Sequence, residues 1–296
     1  MTFPIKGTGL IGWSLARRHP RLVLIWSVIQ LAEMLVMQVV ADVFFRPSLL
    51  ALGAVSAGSP GLPAEAFPLL AFYGLYFPIS YGIVFGAANR LILRPEDSGW
   101  AYLRLGRDEG RQVLVLLLAF AALSGTYLAA GIGSALLAVV IGLGATALGA
   151  SWALMGIVAV SVAAMFVLVI WLSLRISLSS PDTFVRRKVS LKGSWRLTKG
   201  HVWRLLGVFF LATISSALLY AVVTLLTVGV EALLGGTSGA FDRVFSLDPS
   251  APAFGRPSQM IMLPLSAVVS VVSCIVMITP AAEIYRRLAG QLDGAV

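Results

Sequence analysis

The sequence predicts an all-α integral membrane protein with six transmembrane helices, and three observations carry that expectation. Hydrophobic residues make up 58% of the chain against 12% charged, with a mean hydropathy of +0.93, a balance far from that of a water-soluble domain. The apolar residues fall into long runs of the length that a bilayer demands. The basic residues, 22 Lys and Arg against 13 acids, gather at alternate ends of those runs, the pattern left when positive charge stays on the cytoplasmic side.

The same distribution excludes other classes. A net charge of +9 does not indicate nucleic acid, because the cations sit at the ends of apolar runs, where they set topology and meet anionic lipid, rather than on one soluble face. Cys274 is the single cysteine and lies inside an apolar run, so neither a disulfide framework nor a cysteine-based metal site is expected. Both histidines, His19 and His201, lie at the edge of apolar runs, which leaves no intramembrane Ser-His pair or His-carboxylate cluster. No enzyme activity, cofactor or metal is expected.

In chain order, residues 4–20 suggest a short surface helix carrying Trp13, Arg17 and Arg18. The first span, about 22–45, would extend roughly 36 Å at about 1.5 Å per residue, enough to cross a core of about 30 Å with some tilt. It is too long for the apolar part of a cleaved leader and is expected to stay in the protein. Residues 48–66 read as an external loop. The second span, about 67–88, repeats Gly74, Pro78, Gly82 and Gly86 every four residues. Gly82 and Gly86 form a GxxxG ridge that lets a neighbouring backbone approach. Packing within the chain is the plainer use of that ridge; a homo-oligomer through Gly82 and Gly86 is the other.

Residues 89–112 form a basic elbow with Arg90, Arg94, Arg104, Arg107 and Arg111. The next 62 residues, 113–174, contain no Asp, Glu, Lys, Arg or His. That is room for two spans with a generous connection, about 113–133 and 153–174, or for three tight ones. Three would place the eight basic residues of 175–204 outside, against the positive-inside rule. The fifth and sixth spans are about 205–226 and 260–278, joined by an outer loop in which Phe241, Val244 and Phe245 are expected to touch the membrane surface. This arrangement puts 19 of the 22 basic residues and both termini in the cytoplasm, leaving Arg46, Arg243 and Arg256 outside. A weaker pattern is a repeat in which Trp13, Leu15, Arg17 and His19 match Trp195, Leu197, Lys199 and His201. With a fainter copy near Tyr102 to Arg111, it suggests three hairpins, each preceded by a cytoplasmic amphipathic surface helix.

The densest cluster of charge is the elbow at residues 180–206, with seven basic residues between Arg186 and Arg204 and with Trp195 and Trp203 among them. Ser180 is placed to cap a helix begun by Pro181. A second helix, from Ser190 to a stop at Gly200, would put Lys192, Arg196 and Lys199 on one face, with Leu191, Trp195 and Val202 on the other, and should lie flat on the membrane. The run Arg175-Ile-Ser-Leu178, Pro181 and Ser190-Leu-Lys-Gly-Ser-Trp-Arg-Leu-Thr-Lys-Gly200 resembles the hallmark of an uncharacterised bacterial group. That group includes the YciC-like inner-membrane proteins and the membrane domain fused to some glycerophosphodiester phosphodiesterases. The resemblance implies a multi-span protein of the bacterial inner membrane and lends no catalytic residues.

Function is therefore sought in two places. Lys192, Trp195, Arg196 and Lys199 are candidate contacts to anionic lipid headgroups, and a non-catalytic protein that interacts with membrane lipids or organises membrane components is the leading expectation. The alternative is a transporter of a small solute or lipid with Glu33 in its pathway. Glu33 is the one acid in mid-membrane, with Gln30 and Met37 on its face, and an intramembrane carboxylate marks a functional site by default. The plainer account of Glu33 is a protonated side chain hydrogen-bonded to a Ser or Tyr of another span.

Overall fold

The computed structural model describes residues 4–56, 63–147, 151–245 and 256–293. The chain opens with two short helices, α1 (Ile5–Gly9) and α2 (Ile11–Arg18), where the sequence suggests one. α3 (Pro20–Phe44) follows at once, with Pro20 in its first turn, a position that needs no N–H partner. At Phe45 the helix breaks, and α4 (Arg46–Ser56) occupies much of the stretch expected to be loop, because its Leu-Leu-Ala-Leu run is a good helix former. A 3₁₀ turn (Ala64–Ala66) leads into α5 (Phe67–Leu93), which continues unbroken through Pro78.

A second 3₁₀ turn (Gly99–Tyr102) precedes α6 (Arg107–Ala147), and α7 (Ser151–Ile176) returns. The elbow folds as α8 (Ser179–Arg186) and α9 (Lys192–Leu197) before α10 (Val202–Gly235). α11 (Ala240–Phe245) lies beyond it, and α12 (Pro257–Asp293) closes the described chain. Every regular element among the described residues is helical, and α3, α5, α6, α7, α10 and α12 are each long and apolar enough to cross a membrane. The protein is an all-α membrane protein. Alternation of the six helices puts α1, α2, α8 and α9 at one end of the bundle, its basic face.

Helix α12 is the hub. It packs against α3, α5 and α10 and against α1, α2 and α8. Gly12 of α2 is pressed so close to α12 that a Cβ there would stand 2.4 Å from the Cα of Val276. The N-terminal helices are thus wedged into the basic end rather than laid on it. The three hairpins are not equivalent: α6 packs along α7 and α10 along α12, whereas the backbones of α3 and α5 stand apart and each leans on α12.

The α6–α7 hairpin departs most from expectation. The generous connection expected at residues 134–152 is largely helix. With 41 residues, α6 would extend about 60 Å, twice the hydrocarbon core. Gly142 and Gly144, read as loop, lie inside it, and Gly149 lies outside the described residues. No residue of α6 from Leu116 to Gly142 is buried, and none of α7 from Ala159 to Ser173. The hairpin joins the bundle at its basic end, and along 116–142 and 159–173 the sides of its helices turned away from each other present apolar surface, as a helix pair solvated by lipid does.

Two apolar clusters close that basic end. One gathers Leu174, Leu178, Leu197, Leu205 and Val208 against Ile284, Tyr285 and Leu288 of α12. The other packs Leu22, Trp26, Ala87 and Leu91 with Tyr102, Val271 and Ile275. On the opposite face, Glu231 of α10 accepts hydrogen bonds from Ser258 and, at 2.9 Å, from Arg243, which pins α11 and exposes Phe241 and Phe245.

Candidate functional site

Two regions hold the residues singled out in the sequence. The first is the elbow. The turn from α7 into α8 leaves a carbonyl of the one and an N–H before the other in need of partners, and Ser194 supplies both: its hydroxyl donates to the Arg175 carbonyl at 2.7 Å and accepts from the Leu178 N–H at 3.1 Å. Thr198 Oγ1 donates to the Ser194 carbonyl at 2.9 Å. The Arg175 guanidinium lies over the rings of Trp171 and Trp195, 5.4 and 5.2 Å from their centroids. α9 is thereby bolted to the end of α7, and the edge-to-face contact with Trp171 together with the cation holds Trp195 in place.

α8 is buried where a surface helix was expected, with residues 179–184 inaccessible. Ser180 is not the cap: the helix starts at Ser179 after Leu178, and the Ser180 hydroxyl is spent on tertiary bonds. It donates to Gln112 Oε1 at 2.7 Å and accepts from Asn89 Nδ2 at 2.9 Å, which stitches α8 to α6 and α5. Phe184 is buried beneath the guanidinium groups of Arg94 and Arg90. Arg186 Nε lies 2.7 Å from Asp182 Oδ1. Arg187, with φ 55°, ends α8, and Gly200, with φ 84°, makes the turn into α10. α9 is shorter than the helix expected from Ser190, because Ser190 is used outside it, accepting the Gly193 N–H.

Outside this latch, Lys192, Arg196 and Lys199 are exposed, with Trp195 at 41% and Trp203 at 84% exposure beside them. None of the three cations has an acidic partner among the described residues, whereas Arg186, Arg286 and Arg287 are all paired.

The second region is a cavity of about 110 Å³ between α3, α5 and α12. Glu33 lines it and is half-buried. Its Oε1 accepts from the Tyr76 hydroxyl and, at 2.5 Å, from Ser80 Oγ, and its Oε2 accepts from Gln30 Nε2 at 3.1 Å. The expected hydroxyl partners are therefore both on α5, four residues apart on one face, a spacing visible in the sequence although nothing in it directs them to Glu33. Met37 is not among the lining residues.

Of the glycine seam, Gly82 faces α6, where a Cβ would stand 2.5 Å from Val113, and Gly86 leaves room for the Glu109 carboxylate. Gly74 faces open space. The groove at Gly82 and Gly86 is thus filled from within the chain. Sequence reasoning missed the buried pair at this junction: Arg90, counted among the topology-setting cations, is buried against Glu109 and also donates to the Tyr102 carbonyl at 2.9 Å. No cluster of His, Cys, Asp or Glu fit to hold a metal occurs among the described residues. Comparison of the chain with protein-family models, with curated proteins and with solved structures found no match to any of them.

Proposed function

We propose that this protein is a non-catalytic multi-pass protein of the inner membrane whose cytoplasmic face binds anionic lipid headgroups through α9. One observation carries the reading: Lys192, Arg196 and Lys199 are exposed and have no acidic partner among the described residues, beside Trp195 and Trp203, on a segment fixed from behind by Ser194 and Thr198. Basic residues near an anionic surface contribute about 1 kcal/mol each, and tryptophan favours the headgroup level. A latched segment also avoids the entropy of ordering a loose basic loop on each encounter.

The test is thermal stabilisation of the purified protein by phosphatidylglycerol at low and high salt. The wild type is expected to be stabilised at low salt and much less at high salt, and Lys192, Arg196 and Lys199 replaced together by Gln should abolish most of the effect. Stabilisation that survives the triple substitution, or that ignores salt, would reduce α9 to an anchor.

The reading places both termini and the elbow in the cytoplasm, from the 19-to-3 division of basic residues. Reporter fusions at either terminus should report cytoplasm. With Cys274 replaced by Ala, a cysteine introduced at Ser190 should resist an impermeant thiol reagent in intact cells. Labelling there would overturn the orientation.

A further inference from the structure

We propose that the cavity between α3, α5 and α12 is a binding site for a small organic cation of the alkylammonium class, with Glu33 as its counter-charge. The site is separate from α9 and does not depend on the lipid reading. Its first support is unbalanced charge. Among the residues that line the cavity Glu33 is the sole Asp, Glu, Lys, Arg or His, and it forms no ion pair among the described residues. A carboxylate in mid-bilayer is costly unless it is neutralised or paired. The three donors around it are neutral, and they leave about one of its four acceptor positions, on Oε2, for a further donor.

The walls decide what kind of partner fits. Trp26, Tyr76, Phe77 and Tyr81 line the cavity with the carboxylate, and Tyr76 bonds to it directly. Aromatic faces attract an ammonium group by about 0.5–2 kcal/mol each, more when water is excluded, and give apolar contact to its alkyl substituents. A hard metal ion instead favours six or more oxygen ligands with several carboxylates among them, and Glu33 is the single carboxylate in this lining. Size agrees: at about 30 Å³ per water the space would hold three or four waters or one compact alkylammonium ion.

A packing defect is the competing account. Voids that stay empty are lined by purely apolar side chains, whereas Glu33, Gln30, Ser80 and Ser270 all meet this one. The floor is also built rather than left over. Trp26 Nε1 donates to the Ala101 carbonyl at 3.0 Å and Arg90 Nη1 to the Tyr102 carbonyl at 2.9 Å. These bonds hold Ala101 and Tyr102 at φ 55° and 63°, a backbone strain that side chains seldom accept unless the surroundings impose it. Leu103, the next residue, lines the cavity.

The experiment is calorimetric titration of the full chain in maltoside detergent free of phosphatidylcholine. The probes are choline, its neutral isostere 3,3-dimethylbutan-1-ol, and sodium chloride. Wild type should bind choline saturably, the neutral isostere should neither bind nor compete, and sodium should not displace choline. Glu33→Gln keeps shape and hydrogen bonding and should weaken choline binding by at least ~30-fold without lowering thermal stability. Tyr81→Ile lies outside the hydrogen-bond network of Glu33 and should weaken it by roughly 5-fold, which keeps the test decisive if Glu33→Gln folds poorly. No saturable choline binding by wild type, equal binding of the neutral isostere, displacement by sodium, or unchanged affinity in either variant would each overturn the proposal.

Discussion

Arg90→Met should destabilise the protein by about 3–5 kcal/mol, read as a large drop in the melting temperature in detergent. Arg90 and Glu109 are 3% and 4% exposed and form an ion pair at the junction of α5 and α6. The guanidinium also holds the Tyr102 carbonyl and lies over the Phe184 ring. Removing it strands the Glu109 carboxylate in a closed pocket whose wall includes Gly86, where a Cβ would stand 3.0 Å from Oε1. The cost is that of an unpaired buried charge, larger than the net worth of the pair, since desolvation consumes much of the attraction. Arg90→Met combined with Glu109→Leu should therefore recover a substantial part of the loss, because neither charge is then left behind. A double variant as unstable as the single one would show that the Tyr102 and Phe184 contacts, not the stranded acid, set the cost.

The six spans were legible in the sequence because crossing a membrane is decided by transfer free energy, which composition reports directly. Which helix becomes the hub was not. α12 and α6 are both apolar, yet α12 is enclosed on several sides while α6 has no buried residue from Leu116 to Gly142. Lipid tails are as apolar as leucine, so burial among helices leaves little mark on hydropathy. The marks it does leave are small residues, and Gly82 and Gly86 were readable for that reason, although Gly74, in the same series, packs on nothing. Glu33 stood out because a charge in mid-membrane is rare. Its partners Tyr76 and Ser80 did not, since hydroxyls are common in spans and pair by geometry alone. The pair Arg90–Glu109 was hidden for a different reason: a cation at the end of a span already has an explanation in topology, so its burial could not be inferred. The expected two-faced helix from Ser190 to Gly200 is not what forms: α9 ends at Leu197, before Lys199, and Trp195 lies exposed beside the cations rather than opposite them. The burial of α8 likewise escaped the sequence, because it depends on Ser180 meeting Gln112 and Asn89 across three helices.

Gly193→Ala should unlatch that elbow. A Cβ on Gly193 would stand 1.9 Å from Oδ2 and 2.7 Å from Cγ of Asp182. Asp182 is itself buried and has little room to turn while Arg186 holds its Oδ1. Nor can α9 back away at little cost, because the neighbouring Ser194 is tied to the Arg175 carbonyl and the Leu178 N–H. Overpacking of this kind costs about 1–3 kcal/mol, and breaking the Ser194 bonds would add roughly another 1–3 kcal/mol by orphaning buried backbone groups. The expected result is a lower melting temperature together with faster proteolysis between Arg187 and Leu191, where the chain joins α8 to α9. Asp182→Ala shortens the opposing side chain, so the double variant should be more stable than the sum of the two single effects predicts, which a double-mutant cycle measures. Additive effects would mean that α9 yields without pressing on Asp182. If the double variant regains stability and also regains salt-sensitive stabilisation by phosphatidylglycerol, then the latch is what presents Lys192, Arg196 and Lys199 to the membrane. If it regains stability without that response, the basic face acts independently of how α9 is held.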